Sequence, residues 1–158
     1  MYLVSIILLM FVLPVASIVV EVLAFHNGTS IMWLAGKWFV FWAVGVRLFT
    51  AGLMQVINPR FTAEKILGTR DFNQSIIVQE LGFANIAMGA FACLTILISS
   101  WVLPAAIVGC LFLGFAGLRH IFSKNKNVLE RTAMFSNLFI AVVLLIYILV
   151  DLAGGAKP

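Results

Sequence analysis

Charge is scarce in this chain of 158 residues: Asp, Glu, Lys and Arg together make up 10% of it, while hydrophobic residues make up 63%. A soluble domain carries about a quarter charged residues, so this composition excludes a water-facing exterior and makes lipid the solvent. Cysteine and histidine are equally sparse, two of each. That excludes a zinc cluster built from several Cys and His ligands, and without a Cys-x-x-Cys pair it excludes a dithiol redox motif. Cys93 and Cys110 therefore read as small core residues. No nucleophile–base pair and no glycine-rich phosphate loop is present. The net charge of +4 lies between apolar runs and not on an amphipathic face, so nucleic acid is excluded as a partner.

What is present is a series of long apolar runs. A helix needs about 20 mostly apolar residues to cross the hydrocarbon, and five stretches qualify: 3–25, 31–57, 76–98, 102–122 and 134–152. The expected fold is an all-α integral membrane protein, one domain over 1–158, built as a five-helix transmembrane bundle. Helix one lacks a basic leading region and contains Glu21 near its end, so it reads as a retained span and not a cleaved signal. Pro14 is expected to kink it, and Pro104 falls in a first turn, where a missing N–H is harmless. Trp33, Lys37, Trp38 and Trp42 resemble an interfacial aromatic belt.

The connections alternate in character. Residues 26–30 and 99–101 contain no Lys or Arg, whereas 58–75 and 119–131 carry Arg60, Lys65, Arg70, Arg119, Lys124, Lys126 and Arg131. The positive-inside rule places the basic connections and the N-terminus in the cytoplasm. Asn58-Pro59 ends helix two, and Thr62 to Gly68 reads as a short surface helix with Gly68 as its stop.

Arg47 is the strongest functional lead, because a guanidinium at bilayer depth costs about 2.5–3.5 kcal/mol on insertion scales and requires a partner or a wet cavity. Glu80 and Asn85 on helix three, Asn137 on helix five, and Arg119 and His120 at the inner end of helix four lie in the same half of the bundle. Arg47, Ala51 and Gln55 share a face of helix two. The structural alternative is an Arg47–Glu80 ion pair pinning helices two and three, with Asn85 completing its hydrogen bonds. The functional alternative is a ligand-binding pocket of Arg47, Glu80, Asn85 and His120 that holds a lipid-like or quinone-like head. Glu80 and Asn85 are about 140° apart around their helix, so they do not both face Arg47 squarely.

At the other end, Glu21, His26, Lys37 and Asp151 form a second polar group, expected to be solvated ends or a Glu21–Lys37 pair. Only His26 offers a metal ligand there. Small residues run along helix three as Asn85, Gly89 and Cys93 and along helix four as Ala106, Cys110 and Gly114, with Gly117 following. Such stripes let backbones approach, and in a tight hairpin of helices three and four they are expected to face each other.

The runs Arg47-Leu-Phe-Thr-Ala-Gly52 and Glu80-Leu-Gly-Phe-Ala-Asn-Ile-Ala-Met-Gly89 resemble the DoxX-like group of small bacterial membrane proteins, and more closely an uncharacterised bacterial membrane family with similar Glu-x-Gly-x-Ala-Asn runs. The resemblance covers about helices two to five. It implies a four-helix core with helix one added, residence in a bacterial inner membrane, and association with membrane redox complexes and quinone. Three functions are then open: a noncatalytic membrane subunit or scaffold, a quinone-linked redox enzyme subunit, or a small transporter. Membrane lipid, other membrane subunits or a second copy of the chain are the expected partners. No cofactor is demanded by the residues themselves, and quinone enters only through the resemblance.

Overall fold

A computed structural model describes residues 2–25, 28–65, 72–122 and 127–156. Among them no strand occurs, and five helices are long and apolar enough to cross a membrane: Val4–Ala24, Ile31–Ile57, Ser75–Leu94, Ser99–Ile121 and Val128–Leu152. They correspond in order to helices one to five. A short helix, Pro59–Lys65, follows helix two. Asn58 Oδ1 accepts from the Phe61 N–H at 3.3 Å and caps it, with Pro59 in the first turn, where no N–H is required. The expected stop at Gly68 lies outside the described residues.

The short helix begins at Pro59 and not Thr62, helix three begins at Phe72 and not residue 76, and two further ends differ more instructively. Helix three stops at Leu94, because the Thr95 hydroxyl and N–H both turn back onto the Ala92 carbonyl and the chain continues in tight turns. Helix five starts at Val128, six residues before its apolar run, because Asn127 Oδ1 accepts the Glu130 N–H at 2.8 Å. Asn127→Ala is expected to lower stability by ~1 kcal/mol, the usual worth of such a cap. A thermal unfolding series in detergent checks it, and an unchanged midpoint would show that the cap is dispensable.

In helix one Pro14 lies just after a widened turn. Pro14 has no N–H and its ring would strike the carbonyl one turn back. The helix answers with a wider turn over Leu8–Val12, in which the Leu13 N–H reaches the Leu8 carbonyl five residues earlier. A longer segment of the same kind occupies Val40–Val46 in helix two.

Packing divides the helices into pairs. Helix three lies along the C-terminal part of helix two, and helix four along helix five; the N-terminal part of helix two sits between helices one and five. Helix one is peripheral: Ile6 and Met10 are buried, while Val4, Ile7, Val12, Val15, Val19 and Leu23 are exposed. The core at the centre collects Val40, Ala43, Val44, Ala105, Ala106, Leu113, Ile140, Leu144 and Tyr147.

The expected meeting of the small-residue stripes of helices three and four does not occur. Gly89 and Cys93 face helix two: a Cβ on Gly89 would strike the Phe49 backbone, and one on Gly45 would lie 2.9 Å from Cys93 Sγ. Further along, a Cβ on Gly52 would lie 2.6 Å from the Gly82 carbonyl oxygen and 2.7 Å from the Ile86 nitrogen. On helix four, Cys110 Sγ donates to the Ala141 carbonyl of helix five at 3.3 Å, and Gly117 abuts Leu138. The reason is that helix two carries its own glycines, Gly45 and Gly52, seven residues apart, which match Gly82 and Gly89 on helix three at the same spacing. Two glycine-bearing faces allow a closer approach than one.

Candidate functional site

Arg47 follows directly on the wide segment of helix two. Its own N–H bonds to the Trp42 carbonyl, five residues back, as well as to Val44. Relative to a regular helix, the additional residue in such a turn rotates all that follows by about 100°. Arg47 then extends across to helix five, where Nη2 donates to Asn137 Oδ1 at 2.6 Å and to Ser136 Oγ at 3.1 Å. The Ser136 hydroxyl donates a hydrogen bond to the Ala133 carbonyl at 2.9 Å, which leaves its oxygen lone pairs for the guanidinium. Ser136 and Asn137 are both buried.

This corrects the expected Arg47–Glu80 or Arg47–Asn85 contact. Glu80 is on the exposed side of helix three. Asn85 is buried, but its Nδ2 donates to Gln55 Oε1 at 2.7 Å, so the amide that was to serve Arg47 serves Gln55. Asn85 Oδ1 is buried and has no hydrogen-bond partner among the described residues. His120 makes a third arrangement, with Nδ1 3.2 Å from Glu130 Oε1, joining the inner ends of helices four and five. Each of these polar contacts links two helices: two to five, two to three, and four to five. The hydrogen bonds of Arg47, Asn85 and His120 described here run to three different sets of partners.

At the other end of the bundle, Glu21 and Lys37 form the expected pair. Lys37 Nζ lies 2.7 Å from Glu21 Oε1 and 2.9 Å from Oε2, and the Trp38 indole N–H donates to Oε2 at 2.6 Å. The ammonium also sits over two indole rings, 5.3 Å from the centre of Trp33 and 4.9 Å from that of Trp38. One helical turn inward, the Trp42 N–H donates to Ser17 Oγ at 3.0 Å. These contacts bind helix one to helix two and leave a cleft of about 710 Å³ between them. Ala16, Val20, Ile31 and Leu34 form its apolar wall, and Glu21, Lys37 and Trp38 its polar end. His26 lies outside the described residues. Among the described residues there is no group of three or more His, Cys, Asp or Glu side chains placed to share a metal ion.

A family model matches residues 4–154, a stretch that takes in all five long helices. The chain belongs to DUF6790, a family of unknown function. No curated protein and no solved structure matches it. The DUF6790 match includes helix one, which the sequence reading treats as an addition to a four-helix core. The kinship established is to DUF6790; the DoxX-like relation and a bacterial source are not part of it. Two residues of the DUF6790 chain become significant only in the structure. Ser136 is a second acceptor for Arg47, and Gln55 is the partner of Asn85. Gln55 carries a sequence signal, since it shares a helical face with Arg47, whereas Ser136 is one of several serines with none.

Proposed function

We propose that this DUF6790 chain is a multi-pass membrane protein acting as a noncatalytic subunit or scaffold, with its N-terminus and the connections at 58–75 and 119–131 on the cytoplasmic side. The observation that carries the reading is that polar side chains of different helices bond to one another. Arg47 with Ser136 and Asn137, Asn85 with Gln55, and His120 with Glu130 each fasten two helices, which is how polar side chains serve as glue in lipid. A bundle fastened in this way presents long apolar faces outward, on helix one above all, for lipid, partner helices or a second copy. Native mass spectrometry from gentle detergent tests it. Retention of a partner subunit or a second copy is expected, and a bare monomer under all conditions would reject the scaffold reading.

The orientation rests on the positive-inside rule. Cysteines introduced singly at the exposed positions Glu64 and Val128 should stay unlabelled by an impermeant reagent outside spheroplasts of a bacterial host, and should label after lysis. Labelling of either from outside reverses the orientation.

A second reading, an inner site for a polar head near Arg47, Asn85, Glu80 and His120, draws on one atom. The buried Asn85 Oδ1 is an acceptor that calls for a donor. A hydroxyl from a lipid or a quinol supplies one, and an oxidised quinone, with carbonyl oxygens alone, does not. Extraction of lipids and quinols from purified wild type and Asn85→Leu decides it, since identical contents leave the site purely structural.

A further inference from the structure

The cleft between helices one and two lies at the end of the bundle away from the basic connections and is independent of the inner contacts. Its volume, about 710 Å³, is within the range of about 300–1,000 Å³ common for small-molecule sites. Its composition is divided, with one apolar wall and one end bearing an ammonium and a carboxylate side by side. Of its apolar lining, Val20 and Ile31 are exposed at 61% and 70%, so the apolar wall runs on into the exposed surface of the bundle. An occupant matched to both parts is an amphiphile whose head reaches Glu21 and Lys37 while its chains stay outside.

The bonding capacity of the pair specifies that head further. A lysine ammonium has three donors, and two contacts go to Glu21 Oε1 and Oε2. A carboxylate has about four acceptor sites; Lys37 takes two and the Trp38 N–H a third. What is left is one donor on the cation and one acceptor on the anion. Trp33 and Trp38 hold the ammonium over their faces, which fixes the donor in place. A head with an anion alone would gain Lys37 but meet the Glu21 charge beside it, and a head with a cation alone would meet Lys37. A zwitterion satisfies both. A quaternary ammonium has no N–H to give Glu21, and both indole faces are already covered by Lys37, so a primary ammonium fits better.

We infer that this cleft binds the head of a zwitterionic amino-phospholipid, its phosphate on Lys37 and its primary ammonium on Glu21. The inference rests on the membrane-spanning reading above and adds to it a site and a lipid class.

The test is native mass spectrometry of the purified chain in mild detergent, titrated separately with dioleoyl phosphatidylethanolamine, phosphatidylglycerol and phosphatidylcholine. Wild type should retain the first bound phosphatidylethanolamine about tenfold more tightly than either other lipid, the worth of one charge-assisted hydrogen bond. Glu21→Gln should lose the preference over phosphatidylglycerol, and Lys37→Met should weaken retention of all three. Equal retention of the three lipids by wild type overturns the inference, as does a wild-type preference that survives Glu21→Gln and Lys37→Met. Alkaline carbonate extraction of the same membranes separates the two levels. Release of the chain refutes membrane spanning itself, whereas a retained chain without lipid preference refutes only the cleft.

Discussion

Gly89→Ala is expected to force helices two and three apart, because the added methyl would meet the Phe49 backbone, with the Gly45 carbonyl oxygen at 2.8 Å. Backbone atoms have no alternative rotamer to adopt, so the whole contact must open, and Gln55 and Asn85 would separate with it. The expected loss is ~3 kcal/mol, the upper end of the usual range for overpacking. Gly114→Ala is the matched control, since its added Cβ would find only the Ala141 Cβ at 3.7 Å, an ordinary contact. Thermal unfolding followed by size exclusion in detergent should separate the two variants clearly. Equal midpoints would mean that helix three slides on helix two at little cost.

Arg47→Leu is the second large effect. Removing the guanidinium leaves Asn137 Oδ1 and Ser136 Oγ, both on buried residues, without their donor. A stranded polar group costs about 1–3 kcal/mol, and here two lose the same partner. Asn137→Leu alone strands part of the guanidinium instead. Because the two residues form one contact, the double variant should lose less than the sum of the single losses. Additive losses would show that the arginine and the amide stabilise the bundle separately. Arg47→Leu with Glu80→Gln, by contrast, should be additive, since Glu80 is on the exposed face of helix three.

The five helices were legible in the sequence because apolar runs of sufficient length have few other uses. The Glu21–Lys37 pair was legible for a related reason. Both residues sit near the same end of consecutive helices joined by a short connection, so their heights and neighbourhood follow from the path of the chain. The partner of Arg47 was not. Sequence places Glu80, Asn85 and Asn137 all in the inner half, but depth alone does not say which helix stands next to which. The pairing of helix two with three and of four with five depends on which faces carry glycine, and Gly45, Gly52 and Gly82 become informative only when set against Gly89. The early start of helix five has its physical cause in Asn127, whose side chain caps the helix ahead of the apolar run. The contact between Gln55 and Asn85 needed both the neighbour and the register.

The wide turn at Val40–Val46 makes the identity of the residues after it a matter of counting. A chain one residue shorter between Phe39 and Arg47 could keep every apolar side chain and every charge, and a hydropathy profile would scarcely register the change. Its helix would close into regular turns, and the arginine would come round by about 100°, away from Ser136 and Asn137. Family members aligned to this chain without a gap at that point, and members aligned with one, would share the same letters while fastening different helices.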